Sequence, residues 1–125
     1  MKLLLDTHTL IWFSSNSEKI PQRILHELIN PDNSLYISAV SLWEIVIKVG
    51  LGKLDISFDN LLAKLANIEI NILQIESTFL AKVMDLPYIH KDPFDRLIIA
   101  TALVTDMTIL TTDENIRKYD VSWMW

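Results

Sequence analysis

Apolar residues fall into short blocks along this chain, and the spacing within each block separates strands from helices. Lys2 to Leu5 is a brief apolar stretch with no helical period, closed by Asp6, and it predicts a buried strand. A short helix is expected next, through Ile11, Trp12 and Phe13, followed by polar loop from Ser14 to Ser17. Pro21 opens a helix in which Ile24, Leu25, Leu28 and Ile29 share one face. Beyond the turn at Asn30 to Asn33, Leu35 to Ser38 predicts a second strand. Ala39 to Val49 predicts a helix that is apolar nearly all round, hence buried on most sides, and ended by Gly50 and Gly52.

The second half continues the alternation. Phe58 to Ile68 predicts a helix capped by Ser57 or Asp59, Ile70 to Ile75 a strand, and Ser77 to Met84 another helix. Asp92 and Pro93 open a helix reaching Thr105, with Leu97, Ile98, Ala100, Thr101 and Val104 on its packed face. Met107 to Leu110 predicts a strand, Glu114 to Lys118 a short helix, and Val121 to Trp125 an edge strand. Strands alternating with helices predict an α/β sandwich around a mostly parallel central sheet. In open parallel sheets ligands gather beyond the carboxyl ends of the strands.

Composition narrows the class. The 125 residues, half of them hydrophobic, fit a single domain spanning 1–125 with a well-buried core. Cysteine is absent, so disulfides, thiolate metal sites and a cysteine nucleophile are excluded. The apolar run before Asp6 is too short for a secretory signal, and no stretch approaches the roughly 18 residues of a membrane span. A soluble, cytoplasmic protein with no membrane association is expected. The net charge of −5 argues against a basic coat for nucleic acid. It remains compatible with an enzyme that touches a few nucleotides and gathers its acids around a cation.

Candidate chemistry rests on Asp6, Glu44, Asp95 and Asp113. Asp6 ends the first strand and Asp113 closely follows the Met107–Leu110 strand, while Glu44 and Asp95 sit in helices near other strand ends. Each also has a plainer reading. Asp6 and Asp113 suit helix caps. Asp95 suits the positive end of a helix for which Asp92 is the cap. Glu44 completes a capping box with Ser41, or pairs with Lys48 four residues on. Jointly the acids imply more, because carboxylates about 4 Å apart repel by about 4 kcal/mol at an effective dielectric of about 20. A bound cation removes that repulsion, and oxygen ligands without cysteine favour Mg²⁺ or Mn²⁺ over Zn²⁺. Such a centre suits phosphodiester hydrolysis by an activated water.

Four segments carry a family resemblance: Leu4-Leu5-Asp6-Thr7-His8, Ser38-Ala39-Val40-Ser41-Leu42-Trp43-Glu44-Ile45, His90-Lys91-Asp92-Pro93-Phe94-Asp95-Arg96-Leu97-Ile98-Ile99-Ala100 and Leu110-Thr111-Thr112-Asp113. In this order and spacing the chain resembles a PIN-domain ribonuclease of the VapC type, the toxin of bacterial toxin–antitoxin pairs. The resemblance implies a PIN-like three-layer α/β/α sandwich, Mg²⁺ or Mn²⁺ as cofactor, and endonucleolytic cleavage of RNA. It implies Asp6, Glu44, Asp95 and Asp113 as the acidic metal site, with Asp6 and Asp95 the foremost direct ligands. Thr7, Thr111 and Thr112 are candidates for hydroxyls that assist the metal ligands, and Arg96 for a phosphate contact. A homodimer and a cognate antitoxin, which lays a C-terminal segment over the toxin and points an arginine at the acids, are implied as partners.

Trp12, Phe13, Trp123 and Trp125 are candidates for the antitoxin surface, and Lys48, Lys53 and Lys91 for contacts to RNA phosphates. His8, His26 and His90 share no metal-binding spacing, and only His8, two residues after Asp6, is considered for support of the site. Three rivals stand beside the ribonuclease. A haloacid-dehalogenase-type phosphatase requires a second aspartate where His8 stands. A structure-specific DNA nuclease shares the acidic chemistry, but the chain has no basic insertion for such substrates. A non-catalytic binding module uses the acids only as caps.

Overall fold

The computed structural model describes residues 1–125. Its strands are β1 (Lys2–Leu5), β2 (Ser34–Ser38), β3 (Asn71–Leu73), β4 (Thr108–Leu110) and β5 (Trp123–Met124). Its helices are α1 (Thr7–Ser14), α2 (Gln22–Ile29), α3 (Ala39–Gly50), α4 (Phe58–Asn67), α5 (Ser77–Asp85), α6 (Pro93–Thr105) and α7 (Glu114–Arg117). The strands form one sheet in the order β3-β2-β1-β4-β5. Every pairing in it is parallel. The expected mostly parallel sheet is thus wholly parallel, and β5 lies at its edge as the sequence predicts.

Strand periodicity divides the core into two faces. Leu3, Leu5, Ile37 and Leu110 point to one side, where Leu10 of α1, Ile24 and Leu28 of α2, and Leu61 and Leu65 of α4 cover them. Leu4 and Ile109 point to the other, against Phe79 of α5, Ile98 and Ile99 of α6, and Ile116 of α7. Helix α3 sends Ile45 to the first cluster and Val40 to the second. The result is an α/β/α sandwich whose central strands β1 and β4 are buried from both faces.

Two sequence readings change. Helix α3 is not buried on most sides: Trp43 and Val46 are 58% and 44% exposed. Trp43 packs edge-on against Phe94 of α6, with ring centroids 5.4 Å apart. The all-round apolarity of this helix therefore marks an exposed apolar face as well as a packed one. The capping box is also absent. Ser38 caps α3 by accepting the Val40 N–H, and Ser41 lies inside the helix, hydrogen-bonded to Thr7. Gly52 follows at φ +71, a left-handed conformation that glycine adopts without strain.

Candidate active site

The carboxyl ends of β1 and β4 lie side by side, with Leu5 opposite Leu110, and the Asp6 N–H extends the ladder to the Leu110 carbonyl. Asp6 leaves β1 directly into α1, which it caps by accepting the Thr9 N–H at 2.8 Å. Asp113 leaves β4 into α7, which it caps by accepting the Asn115 N–H at 2.7 Å. For both residues the capping reading holds, and it leaves the carboxylate beside the sheet edge. Each cap uses Oδ1 and fixes the carboxylate at the sheet edge, and the Asp113 Oδ2 accepts no hydrogen bond from the chain.

Asp92 caps α6, accepting the N–H groups of Phe94 and Asp95. Asp95 is thereby freed from capping, and its side chain turns to His90, whose Nε2 lies 2.8 Å from Asp95 Oδ2. Ligand atoms of His90, Asp95 and Asp113 all lie within 4.8 Å of one another. Asp6 and Glu44 fall outside that group and connect to it through hydroxyls. The Thr111 hydroxyl hydrogen-bonds the Asp6 side chain and accepts the Asp113 N–H at 2.9 Å. Thr7, which follows Asp6, donates its hydroxyl to Glu44 Oε1 at 2.7 Å, and Lys48 holds Glu44 Oε2 at 2.9 Å. The acids thus form a linked row, Glu44–Thr7 beside Asp6–Thr111–Asp113 and then Asp95–His90, with its tightest cluster at the Asp95 end.

Electrostatics follow from this crowding. Burial pushes the Asp6 carboxyl above its ordinary range, against the opposing hydrogen bonds from Thr111 and Thr9. Burial also raises Asp95, to about 7; the His90 hydrogen bond opposes the shift, and the charges of Asp92 and Asp113 add to it. A carboxyl whose folded pKa lies above its unfolded value binds its proton more tightly in the native state. Stability is then greatest on the acid side and falls as pH rises from about 4 to about 7. Thermal unfolding in EDTA between about pH 5 and about pH 8 is expected to show a falling Tm in the wild type and a flatter profile in Asp95→Asn.

Thr111 is fully buried and bridges two acids, so Thr111→Val removes a donor to Asp6 and an acceptor for Asp113 N–H. A loss of about 1–3 kcal/mol in urea unfolding is expected, because the part-buried Asp113 N–H is left without its acceptor. Thr112 is half-buried and is not among the hydrogen-bonding hydroxyls of the row.

Arg96 is placed otherwise than its sequence reading as a phosphate contact. It is 4% exposed. Its guanidinium donates to the carbonyls of Val83, Leu86, Pro87 and His90 and to the Tyr119 hydroxyl. That clasp leaves it no part in phosphate contact. Lys48 is engaged by Glu44, whereas Lys53 and Lys91 are exposed. His8 is exposed and lies against Trp12 at 5.9 Å, and Trp12 in turn packs on Trp125. Sequence reasoning missed His90. The available signal was its place two residues before the Asp92 cap, from which the chain must turn back toward the first turn of α6.

An α/β/α domain with a row of acids along the carboxyl edge of a parallel sheet is the class that fold and site define. The sequence matches the PIN domain over residues 3–122, and the chain belongs to that family. No curated protein matches it. Among solved structures it resembles VapBC2 from Rickettsia felis bound to a DNA fragment from its promoter, at TM-score 0.73 and 18% identity, covering 100% of this chain and 99% of that one. DNA-bound VapBC from Salmonella typhimurium gives TM-score 0.71 at 17% identity, covering 99% and 97%. FitAcB from Neisseria gonorrhoeae gives 0.64 at 23%, covering 98% and 96%. No helix is long and apolar enough to cross a membrane.

Proposed function

We propose that the protein is a Mg²⁺- or Mn²⁺-dependent endoribonuclease, the toxin of a VapC-type toxin–antitoxin pair. Membership of the PIN family supports a nuclease, and the structural neighbours, which are toxin–antitoxin complexes, support the toxin role. The observation that carries the reading is the closeness of Asp95 and Asp113, with the Asp113 Oδ2 accepting no hydrogen bond from the chain. Two carboxylates held this close, Asp113 as the cap of α7 and Asp95 in the first turn of α6, are destabilising without a cation, and the oxygen donors suit a hard divalent ion.

Asp95 and Asp113 would hold the ion, with Asp6 completing the oxygen set and Glu44, fixed by Thr7 and Lys48, at the other end of the row. When bound, the ion supplies Lewis-acid activation of a water for attack on phosphorus. The chain's own contribution is orientation: Thr111 fixes Asp6 against Asp113, and Thr7 fixes Glu44. A row of acids of this kind also attracts the arginine of an antitoxin segment. The half-buried Trp12 and Trp125 offer it apolar contact. Exposed Trp43, Val46, Leu80 and Met84 on α3 and α5 offer surface for a second copy of the chain.

The test is cleavage of RNA by purified protein with Mg²⁺ or Mn²⁺, comparing wild type with Asp6→Asn. Ion-dependent cleavage by the wild type alone is expected. Equal cleavage by both proteins would refute the reading, and hydrolysis of a small phosphomonoester instead would favour a phosphatase.

A further inference from the structure

His90 sits in the link between α5 and α6, and that link is held with unusual thoroughness for an irregular segment. Its N–H donates to the Tyr119 hydroxyl at 3.0 Å, and its carbonyl accepts from the same hydroxyl at 3.3 Å and from Arg96 at 3.5 Å. Arg96 also takes the carbonyls of Val83, Leu86 and Pro87, and no carboxylate lies within salt-bridge distance of it. Burying a guanidinium without an anion is costly, and here all of its donors that make hydrogen bonds serve the segment leading to His90. The outcome of that clasp is one placement: the His90 Nε2 stands 2.8 Å from Asp95 Oδ2, and a ring nitrogen of His90 lies within 4.8 Å of carboxylate oxygens of both Asp95 and Asp113.

Resting on the cation site proposed above, we propose that His90 is a direct ligand of the same ion, making the site one of mixed nitrogen and oxygen donors. Ligand atoms on neighbouring positions around a divalent ion at about 2.1 Å stand about 3 Å apart, which matches the His90–Asp95 spacing. An imidazole donor changes ion preference. Mg²⁺ favours oxygen ligands and sheds its waters reluctantly, whereas the first-row transition ions accept nitrogen readily. The site accordingly prefers Mn²⁺ to Mg²⁺, and His90 sets that preference. The plainer alternative is a histidine that only neutralises Asp95 and gives way when an ion enters.

The experiment loads the full-length protein with Mn²⁺ and reads nitrogen hyperfine coupling by pulsed electron paramagnetic resonance, with samples grown on ¹⁴N- or ¹⁵N-histidine. Directly bound imidazole coupling that changes with the label is expected in the wild type. It is expected to persist in His8→Gln and to vanish in His90→Gln. Calorimetry should show His90→Gln weakening Mn²⁺ binding by about tenfold or more, with a smaller change for Mg²⁺. If His90→Gln fails to fold, coupling that persists in both His8→Gln and His26→Gln assigns the bound imidazole to His90, the remaining histidine. Bound Mn²⁺ and ion-dependent RNA cleavage without histidine coupling would overturn the role of His90 and leave the nuclease reading standing. Failure of the protein to bind Mn²⁺ at all would overturn both.

Discussion

Asp95→Asn should reduce RNA cleavage by about 10³-fold, the order lost when a preorganised electrostatic group is removed from a reacting centre. It should do so without destabilising the protein in the absence of metal. Asp95 is not a helix cap, and burial with the neighbouring charges has already raised its carboxyl to about 7, so a neutral isostere removes a strained charge. At about pH 8 in EDTA, Tm should hold or rise. Stability kept and function lost is the signature of a ligand-holding residue. A variant that loses stability and activity together would mark Asp95 as a structural residue instead.

Arg96→Met should have the largest effect on stability, a loss of about 3–5 kcal/mol in urea unfolding. The substitution leaves four carbonyls and a hydroxyl short of a donor in a largely buried region. Arg96→Lys should recover only part of the loss, because one ammonium cannot span acceptors arranged around a planar fork. Cleavage should fall as well, through loosening of the segment that carries His90. The alternative reading of Arg96 as a phosphate contact differs in stability, predicting cleavage lost with urea unfolding unchanged.

That arginine shows where sequence reading stopped. The buried strands were legible because Leu3, Leu4 and Leu5 have no polar alternation and because Met107 to Leu110 carries the β-branched Thr108 and Ile109. The order of elements followed from caps and prolines that act locally, such as Asp92 and Pro93 at the start of α6. Placement of Asp6 and Asp113 just beyond strand ends was legible too, since the carboxyl edge of a parallel sheet is fixed once the alternation is known. Partnerships spanning long stretches of chain were not. Ser41 and Glu44 have the local spacing of a capping box, yet both turn to Thr7, which is brought near only by folding. Arg96 finds Tyr119 and the end of α5 in the same way. His90 was passed over because metal-binding spacings describe ligands sharing a helix or loop, whereas its companions are the first turn of α6 and the cap of α7.

The row of acids is the centre of this account, and crystals soaked in Mn²⁺ and measured at its absorption edge test it most directly. An anomalous peak between the carboxylates of Asp95 and Asp113, lost in Asp95→Asn crystals, is the predicted result. A saturating soak that leaves that position empty, or that places the ion only at remote surface acids, would contradict it.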